Sequence, residues 1–88
     1  MRISVKRTGG FGGIPRHRTL ETAGRADAVG LQALARQAIE AGRQAPPVGV
    51  PDGFTYELTV DGRTVYCADP RLTDAQRALI TAVMKEGG

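Results

Sequence analysis

A single cysteine, Cys67, and a single histidine, His17, stand in this chain of 88 residues, and that scarcity removes several kinds of chemistry. Cys67 has no partner for an intramolecular disulfide, the usage expected in a reducing compartment. A zinc site needs three or four suitably spaced ligands, and one His with one Cys does not make one. A nucleophilic Cys–His pair is disfavoured as well, because Cys67 falls on the apolar face of a strand, where it serves as a small core residue. No apolar run approaches the ~20 residues of a membrane span, and no basic segment followed by an apolar one opens the chain. The expectation is a cytoplasmic protein without an anchor. Phosphate-binding signatures are lacking too: Gly9-Gly10-Phe11-Gly12-Gly13-Ile14 satisfies neither G-x-G-x-x-G nor a Walker A motif, and no Lys-Ser or Lys-Thr pair follows it.

A hydrophobic fraction of 41% with 24% charged residues belongs to a folded domain and not to a disordered tail. Residues 1–88 are read as one domain, which at this size buries roughly 60–65% of its unfolded surface. One modest core leaves little room for a deep cleft, so binding, inhibition or assembly stands ahead of catalysis. No cofactor is expected. The formal charge of +3 comes from 12 Lys and Arg against 9 Asp and Glu, with Arg2, Lys6, Arg7, Arg16, Arg18 and Arg25 dense in the first quarter. That distribution favours an acidic partner surface, or simply keeps the domain soluble.

Hydrophobic periodicity predicts six elements. Met1 to Arg7 alternates, with Ile3 and Val5 on one side and Arg2, Ser4 and Lys6 on the other, the period of a half-buried strand. Arg16 to Glu21 is the natural return strand, and its basic character suits an exposed edge. From Asp27 to Ala41, Leu31, Leu34, Ala35, Ala38 and Ile39 form a helical stripe, with Asp27 as N-cap and Gly42 as the C′ residue. Pro46, Pro47 and Pro51 confine Gly42 to Gly53 to a connector. Asp61-Gly62 between two alternating runs is a two-residue hairpin signal that pairs Val60 with Arg63, Leu58 with Val65 and Tyr56 with Cys67. Thr73-Asp74-Ala75-Gln76 is a capping box that opens the last helix, whose stripe is Ala75, Leu79, Ile80, Val83 and Met84. The order ββαββα closes as an α+β fold: a four-stranded, mostly antiparallel sheet with two helices packed on one face. Because each element reverses direction, the segments at Thr8 to Pro15, Gly42 to Gly53 and Ala68 to Leu72 share one end. Phe11, Ile14, Asp52 and Asp69 can therefore form one composite surface.

The densest signal is Arg7-Thr8-Gly9-Gly10-Phe11-Gly12-Gly13-Ile14-Pro15-Arg16, which sets two large apolar side chains in a glycine-rich connection. Its glycines allow positive φ and close approach to another surface, and Pro15 fixes the exit. Phe11 and Ile14 either face a partner or fold back onto the core. Lys6 to Gly12 has the basic and aromatic character of an RNP1 segment, but RRM domains carry that segment on their third strand in a βαββαβ order.

These residues resemble the emfourin-like (protealysin inhibitor) family, small bacterial inhibitors of thermolysin-like M4 zinc metallopeptidases. Met1-Arg2-Ile3-Ser4-Val5, then Arg7-Thr8-Gly9-Gly10-Phe11, Gly13-Ile14 and Arg16, look like the family's first strand and R-x-G-G-F-x-G-I-x-R loop. Phe54-x-Tyr56-x-Leu58-x-Val60, the Asp61-Gly62 turn, a strand ending at Asp69 and the final amphipathic helix match as well. The resemblance implies an inhibitor with no activity or cofactor of its own, monomeric when free, whose Gly10 to Ile14 loop enters the peptidase cleft. Arg7, Gly9, Gly10, Phe11, Gly12, Gly13, Ile14, Arg16 and Asp69 are then the partner-binding set. Phe11 or Ile14 would fill an apolar pocket, and Asp69, or else Asp52, would replace the water on the enzyme's zinc. Asp69 also reads as a turn residue before Pro70. The alternative is a small basic nucleic-acid-binding or protein-interaction module using Arg2, Lys6, Arg7, Arg16 and Arg18. A third reading is a subunit that dimerises through its apolar loop.

Overall fold

A computed structural model of the protein describes residues 1–9, 14–46 and 53–88. Four strands, β1 (Arg2–Gly9), β2 (Arg16–Glu21), β3 (Phe54–Val60) and β4 (Arg63–Ala68), form one antiparallel sheet in the order β2-β1-β3-β4. The helices are α1 (Ala28–Ala41), between β2 and β3, and α2 (Asp74–Glu86), after β4. The ββαββα order and the α+β class are those expected from the alternating and helical periods.

Alternation along each strand sends one set of side chains toward the helices. Ile3 and Val5 of β1, Leu20 of β2, Tyr56 and Leu58 of β3, and Val65 and Cys67 of β4 meet Leu31, Ala35, Ala38 and Ile39 of α1 and Leu79, Ile80 and Val83 of α2. The hairpin register is Val60 with Arg63, Leu58 with Val65 and Tyr56 with Cys67. Its turn has positive φ at Asp61 and Gly62 (48° and 85°), as a type I′ connection requires. The other face of the sheet carries hydroxyls that satisfy one another. Ser4 Oγ lies 3.0 Å from Thr19 Oγ1, and Thr59 Oγ1 lies 2.9 Å from Thr64 Oγ1.

Several terminal residues work differently from expectation. β1 runs on to Gly9, beyond Arg7. Asp27 stands at the N-cap of α1 but makes no capping bond, because Arg25 takes its carboxylate with Nε and Nη2 at 2.8 and 3.1 Å. Gly42 ends α1 with an extended backbone (φ −77°) instead of the left-handed conformation of a C′ glycine. It is needed for space: a Cβ there would lie 2.3 Å from Val65 Cγ2. The residue after it, Arg43, exchanges two backbone hydrogen bonds of 2.8 Å with Tyr66 on the outer side of β4. The capping box of α2 is present. Thr73 Oγ1 accepts from the Gln76 amide at 3.1 Å, and Gln76 Oε1 accepts from the Thr73 amide at 3.0 Å. Gln76 is also buried, donating from Nε2 to the Ala38 carbonyl at 3.2 Å, so it ties the start of α2 to α1.

β2 is an edge strand, but its outer side is partly closed by the chain itself. Thr19 donates to the Gly88 carbonyl at 3.0 Å and accepts from the Gly88 amide at 2.9 Å. Gly87 permits that return, since a Cβ on it would sit 3.0 Å from the Thr19 carbonyl oxygen.

Candidate functional site

Reversal of direction at every element brings three chain ends together. β1 finishes at Gly9, whose partner across the sheet is Phe54, the first residue of β3. Gly9 adopts φ +84°, and a Cβ on it would stand 3.0 Å from the Gly53 carbonyl oxygen, so both conformation and space call for glycine. β4 finishes at Ala68 opposite Thr55, and the next amide, that of Asp69, donates to the Phe54 carbonyl at 3.0 Å. Gly9, Phe54 and Asp69 therefore form a lateral row at one end of the sheet.

The glycine-rich connection leaves from that row. Gly10, Phe11, Gly12 and Gly13 lie outside the described residues, as does Asp52. On the return side Ile14 is 82% exposed, more open to solvent than any core aliphatic by an order of magnitude. Pro15 and Arg16 are exposed as well. Arg16 faces Arg7 directly across the β1–β2 pairing. Of the sequence-derived partner-binding set, the structure thus gathers Gly9, Ile14, Arg16 and Asp69 at one end, with Arg7 at its base.

Arg7 is the residue that sequence reasoning places least well. It follows Ile3 and Val5 on the helix-facing side of β1, and that alternation was the available signal that its side chain is not a free surface cation. It is half-buried, with its guanidinium 4.4 Å from the centroid of the Phe54 ring. Its Nε is wholly out of solvent and has no acceptor among the described residues. Phe54 and Tyr56, which the sequence reading places in the hairpin strand but not in the partner-binding set, pack their rings 6.3 Å apart at 57°.

Burial and charge at this end also shift two neighbouring groups. Burial pushes the Tyr56 hydroxyl above its ordinary range, the Asp69 charge adds to that, and the Arg7 cation works against both. Burial, with help from Asp69, also pushes the Cys67 thiol up to about 11, which leaves it a protonated core group at neutral pH. Cys67 and His17 stand on the two outer strands and on opposite faces of the sheet, since His17 pairs with Lys6 while Leu20 and Arg18 alternate onto the core side. No nucleophile–base contact is possible between them. Among the described residues, no three His, Cys, Asp or Glu side chains come together as a metal-binding group, and no helix is long and apolar enough to cross a membrane.

Comparison with known families places the chain as a whole. The Emfourin family model matches residues 5–84, from within β1 to within α2. The chain belongs to the Emfourin family. Emfourin proteins are known as inhibitors of M4 metallopeptidases and are not enzymes, so the partner of this chain is a peptidase of that class. The Emfourin match takes in the whole row described above, with Arg7, Gly9, Ile14, Arg16, Phe54 and Asp69 all inside it. No curated protein and no solved structure matches the chain.

Proposed function

We propose that this Emfourin domain blocks a thermolysin-like M4 zinc metallopeptidase by inserting its Gly10 to Ile14 segment into the active-site cleft. The observation that carries the reading is Ile14, a branched apolar side chain 82% exposed at the same end of the sheet as Asp69. An isolated apolar side chain gains from being buried in a partner's pocket, by ~1.5–3 kcal/mol for a residue of this size. Phe11 is the second pocket-filling residue of this reading, and the glycines Gly9, Gly10, Gly12 and Gly13 let the segment approach the cleft wall. Asp69 is the first choice to meet the enzyme's zinc in place of its water, and Asp52 the second. The inhibitor acts as a monomer in the cytoplasm, where a lone buried cysteine is at home.

Titration against a panel of thermolysin-like peptidases tests this directly. Wild-type protein is expected to abolish hydrolysis of a peptide substrate by at least one of them. Ile14→Ala and Phe11→Ala should each weaken inhibition by roughly 10- to 150-fold, the affinity equivalent of one buried side chain. Asp69→Asn keeps the turn while removing the charge, and should weaken it further only if Asp69 is the zinc-directed group. Full inhibition by all three variants would reject the insertion. A panel left entirely active, with steeply salt-dependent binding to oligonucleotides instead, would favour the basic-module reading.

A further inference from the structure

We propose that Arg7 and Arg16, which bracket the glycine-rich segment symmetrically in sequence, do different work: Arg7 is an internal strut that positions the inhibitory end, and Arg16 is the charge that meets the enzyme. The proposal rests on the inhibitor reading for its consequence but on the geometry of this chain for its cause.

Arg7 and Arg16 are cross-strand partners, and like charges in that relation repel. β1 lies between β2 and β3, so Arg7 has two ways to turn. Its guanidinium goes to the β3 side, over Phe54 and away from Arg16. Register explains why a site exists there. Arg7 pairs with Tyr56 and Gly9 with Phe54, so Phe54 is the diagonal neighbour of Arg7, one step toward the loop-bearing end. Gly9 presents no side chain to cover the ring opposite it, and the Arg7 guanidinium covers it instead. At 4.4 Å the cation is well inside the ~6 Å over which a ring face attracts it.

The same ring belongs to the residue whose carbonyl holds the Asp69 amide at 3.0 Å. Arg7 thus presses on Phe54, and Phe54 anchors both Gly9, where the inhibitory segment leaves, and Asp69. A flat guanidinium suits this stack, and a lysine ammonium does not. Arg16 is the opposite case. It is exposed, next to Pro15 at the end of the segment, and forms no ion pair among the described residues. It is free to steer the inhibitor toward an acidic rim.

The test separates the two roles kinetically. Arg7→Lys, which keeps the charge, is expected to dissociate from the peptidase about three- to tenfold faster, with the association rate and its salt dependence within twofold of wild type. Arg16→Gln should instead slow association several-fold at low salt, flatten its salt dependence and leave dissociation alone. Val83→Ala, remote in α2, lowers stability without touching the cluster and should change neither rate; this separates positioning from simple destabilisation. A peptidase-independent arm accompanies it: the denaturation midpoints of Arg7→Lys, Phe54→Leu and the double variant, with hydrogen exchange at the Asp69 amide. The double variant should be no less stable than the worse single one, and exchange at Asp69 should quicken in Arg7→Lys but not in Arg16→Gln. Additive midpoints with unchanged Asp69 exchange would overturn the strut, as would equal effects of the two arginines on association. If wild-type protein inhibits nothing, the inhibitor reading fails while this second arm still decides the strut.

Discussion

A methyl group at position 42 would lie 2.3 Å from Val65 Cγ2 and 2.5 Å from Val65 Cβ, distances that force either α1 or β4 to move. At position 30, inside the first turn of α1, the same methyl group would meet nothing within 4 Å. The two glycines therefore predict opposite outcomes for one chemical change. Gly42→Ala should destabilise by about 1–3 kcal/mol through overpacking. Gly30→Ala should stabilise by about 0.5–1 kcal/mol, because it removes backbone freedom from the unfolded chain and suits a helix interior. Urea denaturation of the two variants checks both signs. The pair also marks how far single residues were readable. Gly42 was legible as a helix stop, but the reason lay in a contact with a residue more than twenty positions away, which local pattern does not contain. Arg7 shows the same limit, since its contact with the Phe54 ring lies across the sheet. A basic residue beside a glycine loop suggests a surface charge, and only its place in the Ile3, Val5, Arg7 alternation hinted that it points at the core.

Whole elements were more legible than their ends, because period and turn chemistry are local while caps compete for partners. The Asp61-Gly62 turn set the β3–β4 register, since only one pairing keeps Leu58 and Val65 on the buried face. Asp27 was an equally good cap by type, yet Arg25 two residues earlier holds its carboxylate in a bidentate grip and leaves α1 without a side-chain cap. Thr73 and Gln76 show the reverse, a box that formed and then acquired a tertiary duty through the Gln76–Ala38 bond. Thr73→Ala should cost about 1 kcal/mol. Gln76→Ala should cost about 2–3 kcal/mol, because it strips partners from the buried Ala38 carbonyl and from the Thr73 amide. The double variant should fall short of the sum, since both substitutions break one box. Denaturation midpoints of the three proteins measure that coupling, and strict additivity would mean that the box and the α1–α2 tie act independently.

At the scale of the molecule, charge is divided between two ends. The strand and helix order already implied that the glycine segment and Asp69 share an end, by counting reversals. That β1 and β3 would be the central strands was not legible, because alternation reads the same in an edge strand and an inner one. Every ion pair among the described residues sits at the opposite end: the Met1 ammonium with Glu21 at 2.9 Å, Arg25 with Asp27 at 2.8 Å, and Arg25 with Glu86 at 3.2 Å. Through the last of these, the start of α1 and the end of α2 are joined. The Met1 ammonium and the Ala23 amide hold the Glu21 carboxyl below its ordinary value of 4.5, and Arg25 holds Asp27 below 3.8. Both groups are therefore harder to protonate folded than unfolded. Their contribution is complete above the unfolded values and disappears as pH falls through the folded ones, so stability should begin to drop below about pH 4.5. Arg25→Ala removes the partner of Asp27 and should lessen that acid sensitivity, while the share owed to Glu21 persists. Denaturation at pH 6 and pH 3 reads the difference, and hydrogen exchange should show amides near Ala23, Arg25 and Gly87 opening first in acid, ahead of Asp69. An equal acid loss in Arg25→Ala and wild type would mean that the carboxylates at this end do not set the response. If the order of opening is as expected, mild acid loosens the ion-paired end of the molecule and leaves the end that carries Gly9, Ile14 and Asp69 folded; on the proposed inhibitor reading, binding to the peptidase should then outlast the first stage of acid unfolding.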